Sequence, residues 1–188
     1  GFCLVGSEMC IRDSAYYDWG SELETEWKEN YKLWMTFINE YKNRGGRVTA
    51  GSDSGYMYNL YGFGFVQELE LLREAGFHPM EVIRAGTLHA AEAIGMEDKI
   101  GTDEVGKLAD IIVIDENPLA NLKVLYGTGA IKLDDNNEAV RVGGVRYTIK
   151  DGVVYDAKKL LKEVKDQVDL AKKEAGYKIK QPGVNWNI

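Results

Sequence analysis

Residues 46–55 of the chain read GRVTAGSDSG. The first part, Arg47 to Gly51, is short, mostly apolar and without alternation, which predicts a strand buried on both faces, and the Ser-Asp-Ser-Gly run then breaks it. In a parallel sheet or βα barrel, catalytic groups lie at the carboxyl ends of the strands, which is where this run stands. Asp53 is therefore a candidate for binding a metal through one carboxylate oxygen and accepting a proton through the other. The alternative is that Asp53 caps an ordinary Asx turn or helix entry, and this stretch alone favours that alternative.

Helices are predicted on both sides of this stretch. A capping-box pattern at Ser21 and Glu24 begins an amphipathic helix that ends at Gly45-Gly46. A second helix carries Phe65, Leu69 and Leu72 on one face and stops at Gly76, Pro79 suits the first turn of a third, and a fourth covers Thr87 to Ile94.

Strands are predicted after Gly101. Ile111 to Ile114 is predicted as a buried strand, and Val140 to Ile149 as one or two strands interrupted by Gly143-Gly144. Asp151-Gly152 is a strong two-residue hairpin signal, and a last amphipathic helix is expected over about Ala157 to Ala175. Helices followed by strands favour an α/β protein.

Composition narrows the classes of function. The chain has 188 residues, 45% hydrophobic, with a net charge of −7 and no basic stripe, so we expect no nucleic-acid partner. No apolar stretch approaches the roughly 18 to 20 residues that span a bilayer, so we expect no membrane partner. A complete eight-fold barrel is excluded because it needs about 250 residues. The cysteines Cys3 and Cys10 and the histidines His78 and His89 do not have the paired spacing of a closed zinc site.

The first fourteen residues resemble translated sequencing-adapter read-through rather than part of the fold. They show neither helical nor strand periodicity. We therefore expect residues 1–14 to be an artefactual leader and the biological sequence to begin near Ala15. The compartment is left open, because an export signal would stand at a true N-terminus.

Five segments in order resemble the metal-dependent amidohydrolases, and the imidazolonepropionase-like branch in particular. They are Gly46–Gly55, Gln67–Gly76, Glu81–Thr87, Ala90–Gly95 and Gly106–Asp115. The resemblance extends over about Ala15 to Ala175.

The resemblance implies an α/β fold consisting of a partial, TIM-like βα barrel, a small β-sandwich portion and a C-terminal helix. The barrel part would cover residues 15–100, with its last strand at Val48 to Ser52, the sandwich part residues 101–156, and the helix and tail residues 157–188. Lys107 to Asp110 would enter the sandwich.

The resemblance also implies a function and a site. Asp53 would be a ligand of a divalent metal, with zinc expected, and the acid/base that moves a proton while a non-peptide C–N bond of a cyclic amide or imide is hydrolysed. The loop residues Tyr56, Tyr58 and Tyr61 would bind the small-molecule substrate, although packing over the barrel mouth is an equal alternative for them.

The chain departs from the family pattern at several points. The His-x-His pair of the first barrel strand, the bridging carboxylate or lysine and the two later histidines have no counterpart, and Phe65-Val66 stand where the family often has a histidine. For His78 and His89 we expect surface or packing roles.

Because most metal ligands are missing, we expect the fragment to be inactive alone and its partner to be the missing N-terminal half of the same protein. A homo-oligomer is left open. The rival hypothesis is a non-catalytic structural or interaction protein in which Asp53 only caps a turn.

Overall fold

The computed structural model describes residues 20–55 and 59–177. The helices within these ranges are α1 (Ser21–Asn43), α2 (Gly64–Glu74), α3 (Pro79–Gly86), α4 (Leu88–Ala93) and α5 (Ala157–Glu174), with a 3₁₀ helix at Leu122–Leu125. The strands are β1 (Ile111–Ile114), β2 (Ala130–Leu133), β3 (Ala139–Val142), β4 (Val145–Lys150) and β5 (Val153–Asp156). Cys3 and Cys10, the leader and most of the C-terminal tail lie outside the described residues.

Helix α1 is as long as its periodicity predicts, but it begins differently. Gly20 is the N-cap and makes no side-chain cap hydrogen bond. Ser21 and Glu24, predicted as a capping box, both lie inside the helix, where Glu24 instead pairs with Lys28 one turn later at 2.5 Å. The capping-box prediction is therefore wrong, although the helix itself is confirmed.

The core forms where α2, α3 and the 3₁₀ helix meet. Leu69 and Leu72 of α2 pack with Phe77, Val82 and neighbouring apolar side chains. Met35 and Ile38 of α1 and Val48 and Ala50 of the following segment pack against this cluster with part of their surface exposed. The segment that carries Asp53 is thus attached to the core at its beginning.

The strands form two small antiparallel sheets. The order β1-β4-β5 makes a three-stranded sheet, and β2 pairs with β3. In the β4–β5 hairpin Lys150 is opposite Val153, and Asp151 and Gly152 both have positive φ, at 49° and 77°. Positive φ at both central residues is the signature of a type I′ turn, so the predicted Asp-Gly hairpin is confirmed.

Two predictions of buried strands are not met. Ile111, Ile112 and Val113 of β1 are exposed rather than buried, because β1 is an edge strand and α5 packs on the other two strands, β4 and β5. Residues 46–53 belong to neither a strand nor a helix. A barrel strand is hydrogen-bonded to neighbouring strands on both sides, and the described residues supply no neighbouring strand to this segment, so the barrel remains an expectation of the resemblance.

Apolar side chains remain exposed on several elements. Helix α1 has no buried residue, and Trp27, Trp34 and Phe37 on it are each more than half exposed. Strands β1 and β5 are the edges of the three-stranded sheet. No helix within the described residues is long and apolar enough to cross a bilayer.

We predict that the isolated chain self-associates, because exposed apolar patches and unpaired strand edges both favour contact between copies. Sedimentation velocity should detect species heavier than the 21.1 kDa chain, in a proportion that rises with protein concentration. A monomer at every concentration would contradict the prediction. Replacing Trp34 and Phe37 by serine should shift the distribution toward the monomer.

Candidate functional site

Asp53 lies in an exposed turn directly after residues 47–52. Its φ of 44° is in the left-handed region, which aspartate tolerates better than most residues. No hydrogen bond or ion pair to Asp53 occurs within the described part of the chain, so its carboxylate is not neutralised by an arginine or lysine there.

The turn around Asp53 is fixed by neighbouring polar groups. The hydroxyls of Ser52 and Ser54 lie 2.8 Å apart, and the Gly55 N–H donates to the Asn59 carbonyl at 2.7 Å. The Asn59 side-chain amide donates to the Ser52 carbonyl. These contacts hold the backbone on both sides of Asp53 and do not involve its side chain.

Asn59 was not singled out by sequence reasoning. The signal that could have identified it is its type and place, because an asparagine in a Gly-rich loop commonly hydrogen-bonds the backbone. Its side-chain oxygen is buried and has no hydrogen-bond partner within residues 20–55 and 59–177.

Gly64 gives Asn59 its space. A Cβ built on Gly64 would overlap with the Asn59 side-chain oxygen and the Ser54 hydroxyl. We predict that Gly64→Ala turns the Asn59 amide away from Ser52 and, with the loss of one hydrogen bond, speeds exchange of the Gly55 amide by about fivefold. Hydrogen exchange of residues 51–55 measures this effect.

The matched control is Gly51→Ala, since a Cβ there meets no atom within 4 Å. It should leave exchange of Gly55 unchanged. Equal exchange in Gly64→Ala and the unmodified chain would show that Asn59 does not hold the turn.

The three predicted substrate residues have different outcomes. Tyr56 and Tyr58 lie outside the described residues. Tyr61 is 79% exposed, and its hydroxyl lies against Gly55, two residues from Asp53. The structure therefore brings Tyr61, which precedes α2, to the turn that carries Asp53.

Three contacts attach the beginning of the Asp53 segment to α3 and α4. The Ala50 N–H donates to the Ala85 carbonyl at 3.1 Å, and an Arg47 guanidinium nitrogen lies 3.0 Å from a Glu92 carboxylate oxygen. His89 Nδ1 lies 3.2 Å from the Val48 carbonyl oxygen. The segment therefore depends on these helices, and not on a sheet, for its position in the described structure.

The two histidines lie on the helical positions that the sequence indicates. His78 is exposed and precedes Pro79 at the start of α3. Its backbone N–H donates to a Glu81 carboxylate oxygen at 2.8 Å. That bond and the one from Lys42 hold the pKa of the Glu81 carboxyl below its ordinary value, the Lys42 bond contributing most. His89 is half-buried in α4.

A tyrosine–glutamate pair joins α2 to the loop after the 3₁₀ helix. The Tyr126 hydroxyl donates to Glu70 at 2.9 Å, and the Tyr126 ring lies 5.7 Å from that of Phe63. Burial, and then the bond to Glu70, raise the pKa of Tyr126 to about 12. Phe63 is the last residue of the aromatic loop, residues 56–63, so its contact with the Tyr126 ring restrains the end of this loop.

Asp53 is the candidate metal ligand in this turn. Within residues 20–55 and 59–177, no three His, Cys, Asp or Glu side chains lie close enough together to hold a metal ion. Asp53 can supply one carboxylate oxygen, a ligand type that zinc and other divalent metals accept.

Comparison with known proteins identifies the family. The sequence pattern of the Amidohydrolase family matches residues 34–155. An imidazolonepropionase of Symbiobacterium thermophilum is 35% identical over 134 residues, which are 69% of this chain and 26% of that protein. A 5′-deoxyadenosine deaminase of Methanobrevibacter smithii is 42% identical over 52 residues, which are 28% of this chain and 12% of that protein.

A solved structure agrees with this assignment. The crystal structure of a Xaa-Pro dipeptidase with bound methionine has a TM-score of 0.51 and 26% sequence identity, over 65% of this chain and 25% of that one. The chain thus spans about a quarter of the length of the imidazolonepropionase and of the dipeptidase. The matched region covers more than half of the chain and includes the segment that carries Asp53. The chain therefore belongs to the amidohydrolase family.

Proposed function

We propose that this chain is the C-terminal part of a metal-dependent amidohydrolase that hydrolyses a non-peptide C–N bond in a small cyclic amide or imide. The observation that carries the proposal is the Asp53 carboxylate, which is exposed and unpaired among the described residues at the end of segment 47–52. A carboxylate held only by its backbone is free to bind a cation and to exchange a proton.

The metal would be held by Asp53 together with groups from outside the described residues. One oxygen of Asp53 fits the ligand chemistry of zinc, and the upstream part of the protein would supply the histidines that complete the site. A divalent metal, when bound, lowers the pKa of water from about 15.7 to about 7.

Asp53 would perform the proton transfers. Its second carboxylate oxygen accepts the proton of the attacking water as the water oxygen adds to the carbonyl carbon. The same oxygen then returns the proton to the leaving nitrogen as the C–N bond breaks. The exposed position of Asp53 allows both partners of this transfer to approach it.

The aromatic loop would form one wall of the substrate pocket. Tyr61 supports this role, because its hydroxyl reaches Gly55 beside the Asp53 turn. A tyrosine offers an apolar ring and a hydrogen-bond donor at once, which suits a flat cyclic amide. Tyr56 and Tyr58 are proposed for the same wall from their place in the sequence alone.

The experiment begins from the upstream coding sequence. A His-x-His pair at the end of an apolar strand there, and metal in the purified full-length protein at about two ions per chain, are the expected results for a dinuclear site. A start codon near Ala15 and a metal-free protein would instead favour the non-catalytic rival.

Turnover of a panel of substrates then decides the class of bond. Cyclic amides and imides should be hydrolysed, and Xaa-Pro dipeptides should not. The dipeptides belong in the panel because one similar structure is that of a Xaa-Pro dipeptidase. Hydrolysis of the dipeptides alone would overturn the non-peptide assignment.

A further inference from the structure

His89 differs from the other groups that hold the Asp53 segment. The Arg47–Glu92 ion pair involves an arginine side chain that is 69% exposed, and such pairs contribute little to stability. The Ala50–Ala85 bond joins two backbone groups, so no side chain tunes it. At the beginning of the segment, the half-buried His89 ring reaches the backbone directly, at Val48.

The Val48 carbonyl is well placed to fix the segment. Val48 packs against the core, while Asp53 follows five residues later in the exposed turn. Segment 46–53 has no strand partner in the described structure, so a bond at Val48 restrains where the segment leaves the core. The contacts of Asn59 and Gly55 restrain its other end.

The contact with the Val48 carbonyl also determines which ring nitrogen of His89 carries the hydrogen. A carbonyl oxygen only accepts hydrogen bonds, so His89 Nδ1 must carry the hydrogen, and the neutral ring must leave Nε2 unprotonated. His78 is exposed, and within the described residues no carbonyl accepts a bond from its ring. His78 therefore serves as the reference against which the ring tautomer of His89 is compared.

We propose that His89 is a positioning residue for Asp53, which it orients by donating an Nδ1–H hydrogen bond to the Val48 carbonyl. The consequence for hydrolysis rests on the proposed function. The hydrogen bond and its effect on the segment do not.

The first test reads the tautomer in the unmodified chain. Magic-angle-spinning NMR of ¹⁵N-histidine-labelled protein is suitable because it does not depend on the size of an associated species. At alkaline pH, where imidazole rings are neutral, His89 should be in the Nδ1–H form and His78 mainly in the Nε2–H form, with the signals assigned through His78→Asn. An Nε2–H form for His89 would overturn the proposal.

The second test uses rescue by a matched variant. An asparagine places its amide nitrogen one bond from Cγ, as histidine places Nδ1, so His89→Asn should keep the donor to Val48. His89→Ala should raise hydrogen exchange of the Ala50 amide, which donates to the Ala85 carbonyl, by about fivefold, the effect of one lost hydrogen bond, and His89→Asn should restore slow exchange. His78→Ala is the control and should change nothing in this segment.

Equal exchange in His89→Ala and the unmodified chain, or in His89→Ala and His89→Asn, would contradict the proposal. Neither test involves a metal or turnover. If Asp53 proved to have no part in hydrolysis, both results would be unaffected, so the two failures can be told apart.

Discussion

Asp53→Asn in the full-length protein is expected to lower kcat/KM by about 1,000-fold or more, because general acid–base catalysis alone contributes about 10² to 10⁴ and the substitution also weakens a metal ligand. Asparagine keeps the size and shape of the side chain and tolerates the positive φ observed at position 53. The loss should therefore be chemical, and the fold should be retained.

The control for this substitution is Asp135→Asn. Asp135 is exposed within the β2–β3 connection, far along the chain from the candidate site. This variant should keep full activity, and both variants should unfold at the same denaturant concentration as the unmodified protein. Wild-type activity in Asp53→Asn would remove Asp53 from the mechanism.

Phe77→Ala is expected to destabilise the chain by about 3 to 5 kcal/mol, the usual cost of deleting a buried phenylalanine. Phe77 is 2% exposed and packs with Leu72 and Val82 in the core. Lys42 Nζ lies 5.0 Å from the centre of its ring, so the substitution also removes a cation–π contact. A shift of the urea midpoint measures the effect.

Phe37→Ala is the matched control, since Phe37 is 56% exposed on α1. It should lower the free energy of unfolding by much less than Phe77→Ala. Equal losses in the two variants would mean that the core of the isolated chain is not centred on Phe77.

Local features of the fold were predictable from the sequence. Gly76 and Pro79 mark the end of α2 and the start of α3, because glycine terminates helices and proline fits their first turn. Asp151-Gly152 identifies the β4–β5 hairpin, because this pair accepts positive φ at both positions. Such signals act within a few residues and need no knowledge of the rest of the molecule.

Features that depend on distant partners were not predictable in the same way. An apolar run such as Ile111 to Ile114 indicates a strand, but its burial depends on where the distant helix α5 packs, and α5 contacts β4 and β5 rather than this edge strand. The 3₁₀ helix and β2 were missed, because a four-residue element such as Leu122–Leu125 is too short to show a period.

The candidate site was predictable only in part. Asp53 was predicted from the turn chemistry and the family resemblance, and the structure places it in an exposed turn. The supporting contacts of Asn59 and His89 were not, because each joins residues that fold together from separate positions, 7 and 41 residues apart in the chain. The His89 contact has no local signal, whereas Asn59 is indicated only by its place in a Gly-rich loop.

The most direct test of the role of Asp53 is anomalous diffraction at the zinc edge from crystals of the full-length protein. The account predicts a zinc peak about 2.0 to 2.2 Å from one carboxylate oxygen of Asp53. A zinc site without Asp53, or an Asp53 carboxylate paired with an arginine or lysine in that structure, would contradict it.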